Sequence, residues 1–287
     1  MVAKPTPFGS RVRVWRERRH MTQADLAFAA RVSTRHLSFV ETGRAAPSRD
    51  LVLALAEGLT MPLRDRNTLL LSAGYAPVFA DQPLGAATLA TARNLVRRVL
   101  HAHEPCPAVA IDRQWNLVAA NRMVRPLIQG AAAHLLAPPV NLLRLTLHPE
   151  GLAPRIENLD EWRARMLARL RQQFAETGAV ALEQLHAELS AYPGRLANAE
   201  ADPAGFAAPL RLTSPVGPLA LVSATMVFGT ALDVEISELA IETFLPADDA
   251  TRDALGRLAG GLNEIPEAWD GSARPYTDAD LVGMSLL

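Results

Sequence analysis

The sequence predicts a protein of two domains, an all-α bundle followed by an α+β domain built on a five-stranded antiparallel sheet. Three observations support this fold class. The chain has 287 residues, which is more than one compact domain usually contains. Apolar residues recur at helical spacing through the first 75 residues. Strand patterns appear in two later groups, at 108–121 and 209–245, with helical patterns between them.

The composition is that of an ordinary globular protein, with 49% hydrophobic and 21% charged residues. No apolar run approaches the roughly 18 residues that a membrane-spanning helix requires, and the first residues lack the apolar core of a signal peptide. Cys106 is the only cysteine, so neither an intrachain disulfide nor a cysteine-rich zinc site can form. We therefore expect a cytoplasmic protein with no membrane partner.

The net charge of −1 conceals an asymmetry along the chain. Residues 1–75 contain twelve basic and six acidic residues, a net charge of +6. Residues 76–287 contain seventeen basic and twenty-four acidic residues, a net charge of −7. A basic module on an acidic body is expected when only the first domain binds a polyanion such as nucleic acid.

The first three helices are predicted from apolar spacing and from capping residues. Phe8, Val12 and Trp15 share one face of helix one. Thr22-Gln-Ala-Asp25 is a capping box at the start of helix two, and Ser33 is a cap for helix three. The side chains that we expect to point outward from helix three are Thr34, Arg35, Ser38 and Glu41. Two short helices separated by about four residues form a helix-turn-helix.

Two further helices complete the predicted bundle. Pro47-Ser48 begins helix four, which continues through Leu59. Pro62 begins helix five, which ends near Gly74. We therefore assign residues 1–76 to a helix-turn-helix DNA-binding domain of five helices.

These residues resemble the phage-repressor-like (lambda-repressor-like) helix-turn-helix of the XRE family. In that family the Gln at the start of helix two bonds a phosphate and braces the recognition helix, whose first exposed residues touch base edges. The resemblance implies that Gln23 is the phosphate-side residue. It implies that the groove-reading residues are Thr34, Arg35 and Ser38. The segments that carry the resemblance are Thr22-Gln23-Ala24-Asp25-Leu26-Ala27, Val32-Ser33, Glu41-Thr42-Gly43-Arg44 and Pro47-Ser48.

The arginines of this domain divide into two expected roles. Arg35 can make a bidentate contact with guanine, worth roughly 1–3 kcal/mol of discrimination between bases. Arg44 and the helix-one arginines, including Arg11, add salt-sensitive phosphate contacts that do not depend on sequence. The alternative is that the basic helical surface is a solvated face of a protein-interaction module.

One position departs from the family pattern. The family usually has Gly in the turn before the Val-Ser pair, and this chain has Arg31. If Arg31 keeps the left-handed conformation of that turn, it costs roughly 1 kcal/mol relative to Gly.

The second half of the chain begins with a segment that we assign as a linker helix, residues 77–106, with a helical pattern at about 84–103. Two strands joined at Arg113-Gln114 follow, at 108–112 and 115–121. Helical patterns then occur at about 121–129, 141–147, 158–176 and 179–191, before strand patterns at 209–213, 218–228 and 234–245 and a last helix near 248–262. This order is that of a PAS-like sensor domain, residues 107–262, followed by a polar tail at 263–287.

This half of the chain contains the phrases Asp112-Arg-Gln-Trp-Asn116, Asn121, Asn141-Leu-Leu-Arg144, Leu147-His-Pro149, Ala153-Pro-Arg-Ile156, Asn158-Leu-Asp-Glu-Trp162 and Phe228-Gly-Thr-Ala-Leu-Asp233. Together these phrases resemble the MmyB-like regulator ligand-binding family. Together with the N-terminal domain, the similarity covers about residues 8–260. The resemblance implies a PAS-like pocket for a small, largely apolar ligand, such as a fatty-acyl chain, whose binding alters DNA binding.

Apolar and adaptable side chains of this domain are candidates for the pocket wall, and the alternative is that each is an ordinary core residue. The candidates are Trp115, Met123, Leu127, Met166, Leu170, Met226 and Phe228. An acidic ligand requires an arginine at the rim, for which the candidates are Arg122, Arg144 and Arg163.

No pattern indicates catalysis, and we expect no metal and no cofactor apart from the possible fatty-acid-like ligand. His101, His103 and Cys106 have ligand chemistry for transition metals but are typical of a polar linker junction. His148 is accompanied by no nucleophile motif and no His-Glu-x-x-His helix, so we interpret it as a turn residue. The sequence contains no Gly-rich phosphate loop.

The leading hypothesis is a ligand-responsive regulator that binds a near-palindromic double-stranded operator as a homodimer. One alternative makes the C-terminal domain a ligand-free dimerisation or protein-interaction scaffold. The other makes it an enzyme domain.

Overall fold

A computed structural model describes residues 7–81, 90–194, 209–229 and 233–262. These residues form two compact units. The first contains 7–81 with the short segments 175–178 and 233–237, and the second contains the other described residues. No helix among the described residues is long and apolar enough to span a membrane.

The first unit is a helical bundle in which each predicted helix is present. The helices are α1 (Pro7–Arg18), α2 (Gln23–Ala29), α3 (Thr34–Glu41), α4 (Arg49–Gly58) and α5 (Leu63–Ser72). The Thr22 hydroxyl accepts a hydrogen bond from the Asp25 amide while the Asp25 carboxylate accepts from the Thr22 amide, which is a complete capping box. The hydroxyls of Ser33 and Ser48 cap α3 and α4.

The core of the bundle is formed by the apolar stripe of each helix. Phe8, Val12 and Trp15 of α1 are buried against residues of the other helices. The largest buried side chains beside them are Leu26, Leu37, Leu55, Leu59, Leu69 and Leu70. This core fixes the angle between α2 and α3, because each helix has only one apolar face to bury.

The second unit is PAS-like, with a five-stranded antiparallel sheet in the order β2-β1-β5-β4-β3. The strands are β1 (Ala108–Ile111), β2 (Leu117–Ala120), β3 (Leu210–Ser214), β4 (Gly217–Val227) and β5 (Ala240–Pro246). In the register, Val109 lies opposite Glu242, and Thr225 lies opposite Glu242 on the other side. The first hairpin and the last strand are therefore adjacent although about 120 residues separate them in sequence.

Helices pack against one face of this sheet and form the main core with it. They are α7 (Arg125–Ile128), α8 (Ala133–Leu136), α9 (Leu142–Leu147), α10 (Leu159–Thr177), α11 (Val180–Ser190) and α13 (Asp249–Gly261). Their most deeply buried side chains include Leu147, Leu170 and Leu189.

The other face of the sheet carries a smaller core. Helix α6 (Ala90–Ala102) buries Val96 and Leu100 against Ala108, Ala110 and Ile241 of the central strands. The segment that we expected to be a linker helix is thus part of the second unit along its described length. Residues 82–89, where the predicted helix begins, lie outside the described residues.

One predicted strand is wrong at its beginning. The pattern at 234–245 predicts a continuous strand, but Val234–Ser237 is a helical turn, α12, and β5 begins at Ala240. The carboxylate of Asp233 accepts from the Ile236 amide, and the Ser237 amide donates to the Asp233 carbonyl. These local hydrogen bonds give the backbone an alternative to the sheet.

Candidate DNA-reading surface and ligand pocket

Arg31 occupies the turn between α2 and α3 in a left-handed conformation, with a φ of +56°. The Arg31 amide donates to the Phe28 carbonyl at 3.1 Å, and the Val32 amide donates to the Ala27 carbonyl at 2.9 Å. This pair of bonds is a Schellman motif, in which Gly is the usual left-handed residue. The strain that the sequence predicted for Arg31 is therefore present in the fold.

The residues expected to read the groove lie at the start and on the outer side of α3. Thr34 and Arg35 are exposed, and Ser38 is half-buried. The guanidinium of Arg35 lies over the Phe39 ring, 5.4 Å from its centroid. Contact with the ring restricts the arginine to one side of the helix.

The expected phosphate-binding residues also lie at the surface of the bundle. Arg11 is exposed on α1, and Arg44 is exposed directly after α3. The Arg44 amide donates to the Phe39 carbonyl at 2.7 Å, after Gly43 has turned the chain with a φ of +74°. Arg44 is thus fixed at the C-terminal end of the proposed recognition helix.

Glu41 corrects one expectation, because it is buried rather than outward-facing, with 5% of the whole residue's surface exposed. Its carboxylate accepts two hydrogen bonds from Arg16, at 2.7 and 3.1 Å. It also accepts one from the Gln23 amide nitrogen, at 2.7 Å. A carboxylate at the end of α3 is therefore bonded to both α1 and α2. Gln23 is thereby bonded to the end of α3.

The second unit contains a pocket between the sheet and the helices that cover it. Its empty volume is about 730 Å³, a figure that includes open solvent at its mouth. Its apolar wall includes Val109, Trp115, Leu127, Leu143, Met166, Leu221 and Phe244.

Three of the seven predicted pocket residues line this pocket, namely Trp115, Leu127 and Met166. Met123 and Leu170 are fully buried in the surrounding core and do not line it. The other two belong to the opposite side of the sheet, since strand residues alternate between faces.

Ser223 lines the pocket and Thr225 bonds Glu242, so the next residue of β4, Met226, points away and is 45% exposed. Phe228 is two residues after Met226, so its side chain lies on the same side of the sheet. It packs against the core formed with α6. Neither residue contacts the pocket.

Trp115 is held in the pocket wall by a turn with a φ of +67°. The Asp112 carboxylate accepts hydrogen bonds from the backbone amides of Gln114, at 2.7 Å, and Asn116, at 2.9 Å. The Asn141 side chain donates to the Gln114 carbonyl at 2.8 Å and caps α9. The indole N–H of Trp115 donates to the Gln173 side chain at 2.8 Å.

One polar group of the pocket was missed by sequence reasoning. The Glu242 carboxylate, 3% exposed, forms an ion pair with Arg169 of α10 at 2.5 Å. The Thr225 hydroxyl donates to the same carboxylate at 2.9 Å. The Arg169 guanidinium also lies over the Trp115 ring, 4.5 Å from its centroid.

The three arginines proposed for the pocket rim bond to groups that do not line the pocket. Arg122 pairs with Glu104 at 2.8 Å, and Arg144 pairs with Glu188 at 2.7 Å. Arg163 is 1% exposed and donates to the carbonyls of Tyr192 and Pro193. A sequence signal for Arg169 did exist: Trp162, Met166, Arg169 and Gln173 recur at helical spacing on one face of α10.

The other polar clusters of this unit have structural contacts. The imidazoles of His134 and His148 meet edge to face at 5.3 Å between centroids, beside Glu150. The Glu150 amide donates a hydrogen bond to His148 Nδ1, so the His148 side chain stabilises a local turn of the backbone. The His103 ring contacts the Val99 carbonyl at 2.6 Å, and burial raises the pKa of the Cys106 thiol.

Comparison with known proteins agrees with both units. The family described as the MmyB-like transcription regulator ligand binding domain matches residues 92–258, and a helix-turn-helix domain family matches residues 7–69. Among solved structures, the clp gene regulator ClgR from C. glutamicum is 30% identical over 24% of this chain and 86% of that chain, with a TM-score of 0.21. No protein with a curated description matches the chain.

The MmyB-like match covers more than half of the chain and includes the sheet, the pocket and the helices that enclose it. The protein therefore belongs to the MmyB-like transcription regulators, with a helix-turn-helix DNA-binding domain and a ligand-binding domain in one chain.

Proposed function

We propose that the protein is a sequence-specific regulator whose affinity for its operator changes when a small, largely apolar ligand occupies the pocket of the PAS-like unit. The observation that carries this proposal is the pocket itself, which is walled mainly by aliphatic and aromatic side chains. An apolar lining suits an alkyl chain, in line with the fatty-acid-like ligand that the family resemblance implies.

We further propose that α3 enters the major groove of DNA. Thr34, Arg35 and Ser38 then face base edges, while Gln23, Arg44 and Arg11 meet phosphates. The exposure of Arg35 and Arg44 and the net charge of +6 over residues 1–75 support this assignment. We propose an XRE-type homodimer, because operators for such domains are usually two-fold symmetric.

The ligand claim is tested by native mass spectrometry of the purified full chain, followed by denaturation. We expect a small apolar molecule of defined mass to be released from the wild type. Met166→Trp fills the pocket and should abolish this release. Val180→Trp, at a position that is 59% exposed on α11, adds bulk outside the pocket and should retain the molecule.

The same experiment separates the two alternatives. If the wild type releases no small molecule and binds DNA as tightly as Met166→Trp does, the result supports a ligand-free scaffold and contradicts the proposal. Conversion of the released molecule by the purified protein supports an enzyme domain instead. The oligomeric state is read from the same spectra, and a protein that is monomeric on operator DNA contradicts the homodimer.

A further inference from the structure

We propose that Arg169 of α10 binds the carboxylate of an alkyl-chain acid in the pocket while it stays paired with Glu242. This inference rests on the proposed function, and it names the head group of the ligand and the residue that recognises it. The arginine in question is not one of the three rim candidates from the sequence, whose bonds are made outside the pocket.

Arg169 has hydrogen-bond donors that no described residue uses. Its Nη2 atom donates to the Thr225 hydroxyl at 3.0 Å and to the Glu242 carboxylate at 2.5 Å. These are the two hydrogen bonds of its guanidinium among the described residues, although a guanidinium carries N–H groups on three nitrogens. The N–H groups on Nε and Nη1 are therefore available, in a side chain that lines the pocket and is 28% exposed.

Two contacts hold this guanidinium in place before a ligand binds. The Glu242 carboxylate, 3% exposed, fixes it through Nη2, and the Trp115 ring lies against it with its centroid 4.5 Å away. A group that is already positioned loses little conformational freedom on binding. Glu242 is thus a positioning residue for Arg169, and the Thr225 hydroxyl, which donates to the same carboxylate at 2.9 Å, helps to satisfy its charge.

The remaining polar side chains of the pocket also favour a head group that accepts hydrogen bonds. Trp162 lines the pocket, is 4% exposed, and has an indole N–H without an acceptor among the described residues. Ser223 lines the pocket with a hydroxyl that can donate or accept. Buried donors are normally satisfied, and a charge-assisted hydrogen bond is stronger than a neutral one. A carboxylate, which only accepts, therefore suits this wall better than an alcohol or an ammonium.

The test compares decanoate, decanol and decylamine, which share an alkyl chain and differ in the head group. Binding to the full-length protein is measured by isothermal titration calorimetry at neutral pH. We expect decanoate to bind at least about tenfold more tightly than the other two compounds. Decanol or decylamine binding as tightly as decanoate overturns this inference but leaves the proposed function intact. Binding of none of the three contradicts both.

A paired substitution tests the role of Arg169. Arg169→Gln combined with Glu242→Gln removes both charges together, so that neither side chain is left buried opposite a missing partner. We expect this protein to lose the preference for decanoate over decanol. Arg144→Gln combined with Glu188→Gln makes the same change at an ion pair that does not line the pocket, and should keep the preference. Retention of the preference by the folded Arg169 and Glu242 variant contradicts the inference.

A second variant covers the case in which the paired substitution prevents folding. Arg169→Lys keeps a positive charge for Glu242 but lacks the further nitrogens of the guanidinium. The preference for decanoate over decanol should then fall at least about threefold, and an unchanged preference overturns the assignment of Arg169.

Discussion

The guanidinium of Arg16 makes two hydrogen bonds with the carboxylate of Glu41, joining the first helix to the end of the third. Both side chains are largely buried, with 11% and 3% of their surfaces exposed. This pair sets the position of α3 within the bundle, and Gln23 completes it from α2.

Glu41→Ala should lower the free energy of unfolding by about 3 kcal/mol, because it leaves Arg16 buried without its partner. Urea denaturation of the full chain, followed for the first unit by Trp15 fluorescence in a background without the other tryptophans, measures this change. Arg13→Ala is the control, since Arg13 and Glu17 form an exposed pair on the same helix and should contribute little. Equal losses of unfolding free energy in the two variants would contradict a stabilising role for the Arg16–Glu41 pair.

Arg31→Gly should raise the free energy of unfolding of the helix-turn-helix unit by about 1 kcal/mol. A residue with a Cβ is strained at a φ of +56°, and Gly is not. Arg31→Ala is the matched control, because it removes the same charge and keeps the Cβ. If Arg31→Gly and Arg31→Ala raise the free energy of unfolding equally, the effect comes from the lost charge and not from the backbone conformation.

Arg35→Ala should reduce the preference for the wild-type operator over single-base variants by about 2 kcal/mol at one position. Fluorescence anisotropy with DNA selected from a random pool by the wild type provides the measurement. Retention of the full preference would show that Arg35 is not a groove-reading residue.

Arg44→Ala should behave differently, since a phosphate contact carries no sequence information. We expect weaker binding to all sequences alike, and a slope of log Kd against log salt that is smaller by about one. A change in sequence preference without a change in the salt slope would place Arg44 at a base instead.

Tyr192 provides a prediction on pH. Burial, followed by the hydrogen bond to Glu188, raises the pKa of Tyr192 to about 12 from an ordinary value of 10. Because the folded-state pKa is raised, the contribution to stability is complete below pH 10 and is lost as the pH rises toward 12. The difference in unfolding free energy between the wild type and Tyr192→Phe should shrink over this range. A difference that is constant from pH 10 to 12 contradicts the raised pKa.

Much of the first unit is predictable because its signals are local. Thr22 and Asp25 cap α2 within one helical turn, and Ser33 and Ser48 do the same for the helices that follow them. Glu41 was misjudged because its partners are 25 and 18 residues away in sequence, on two other helices. Helical spacing places a residue on a face of its helix but does not reveal a charged partner opposite that face.

The predicted pocket residues also divide into those that a local pattern identifies and those that depend on the tertiary structure. Trp115, Leu127 and Met166 were predicted because they are large and apolar, and the structure places them in its wall. Met226 and Phe228 were misplaced because the parity of β4 depends on its pairing with β5. Strand alternation is visible in the sequence, but which parity faces the helices is decided only when the sheet assembles.

The sequence by itself determined the two-domain organisation, the helix-turn-helix and most of the order of strands and helices, because caps, turns and apolar periods act over a few residues; the helical turn α12 before β5 is an exception. Only the tertiary structure decided that Arg169 meets Glu242 inside the pocket, 73 residues apart in the chain. The physical reason is that the charge balance of a buried site is a property of neighbours in space. Packing of α10 on β5 creates that neighbourhood, and no local pattern records it.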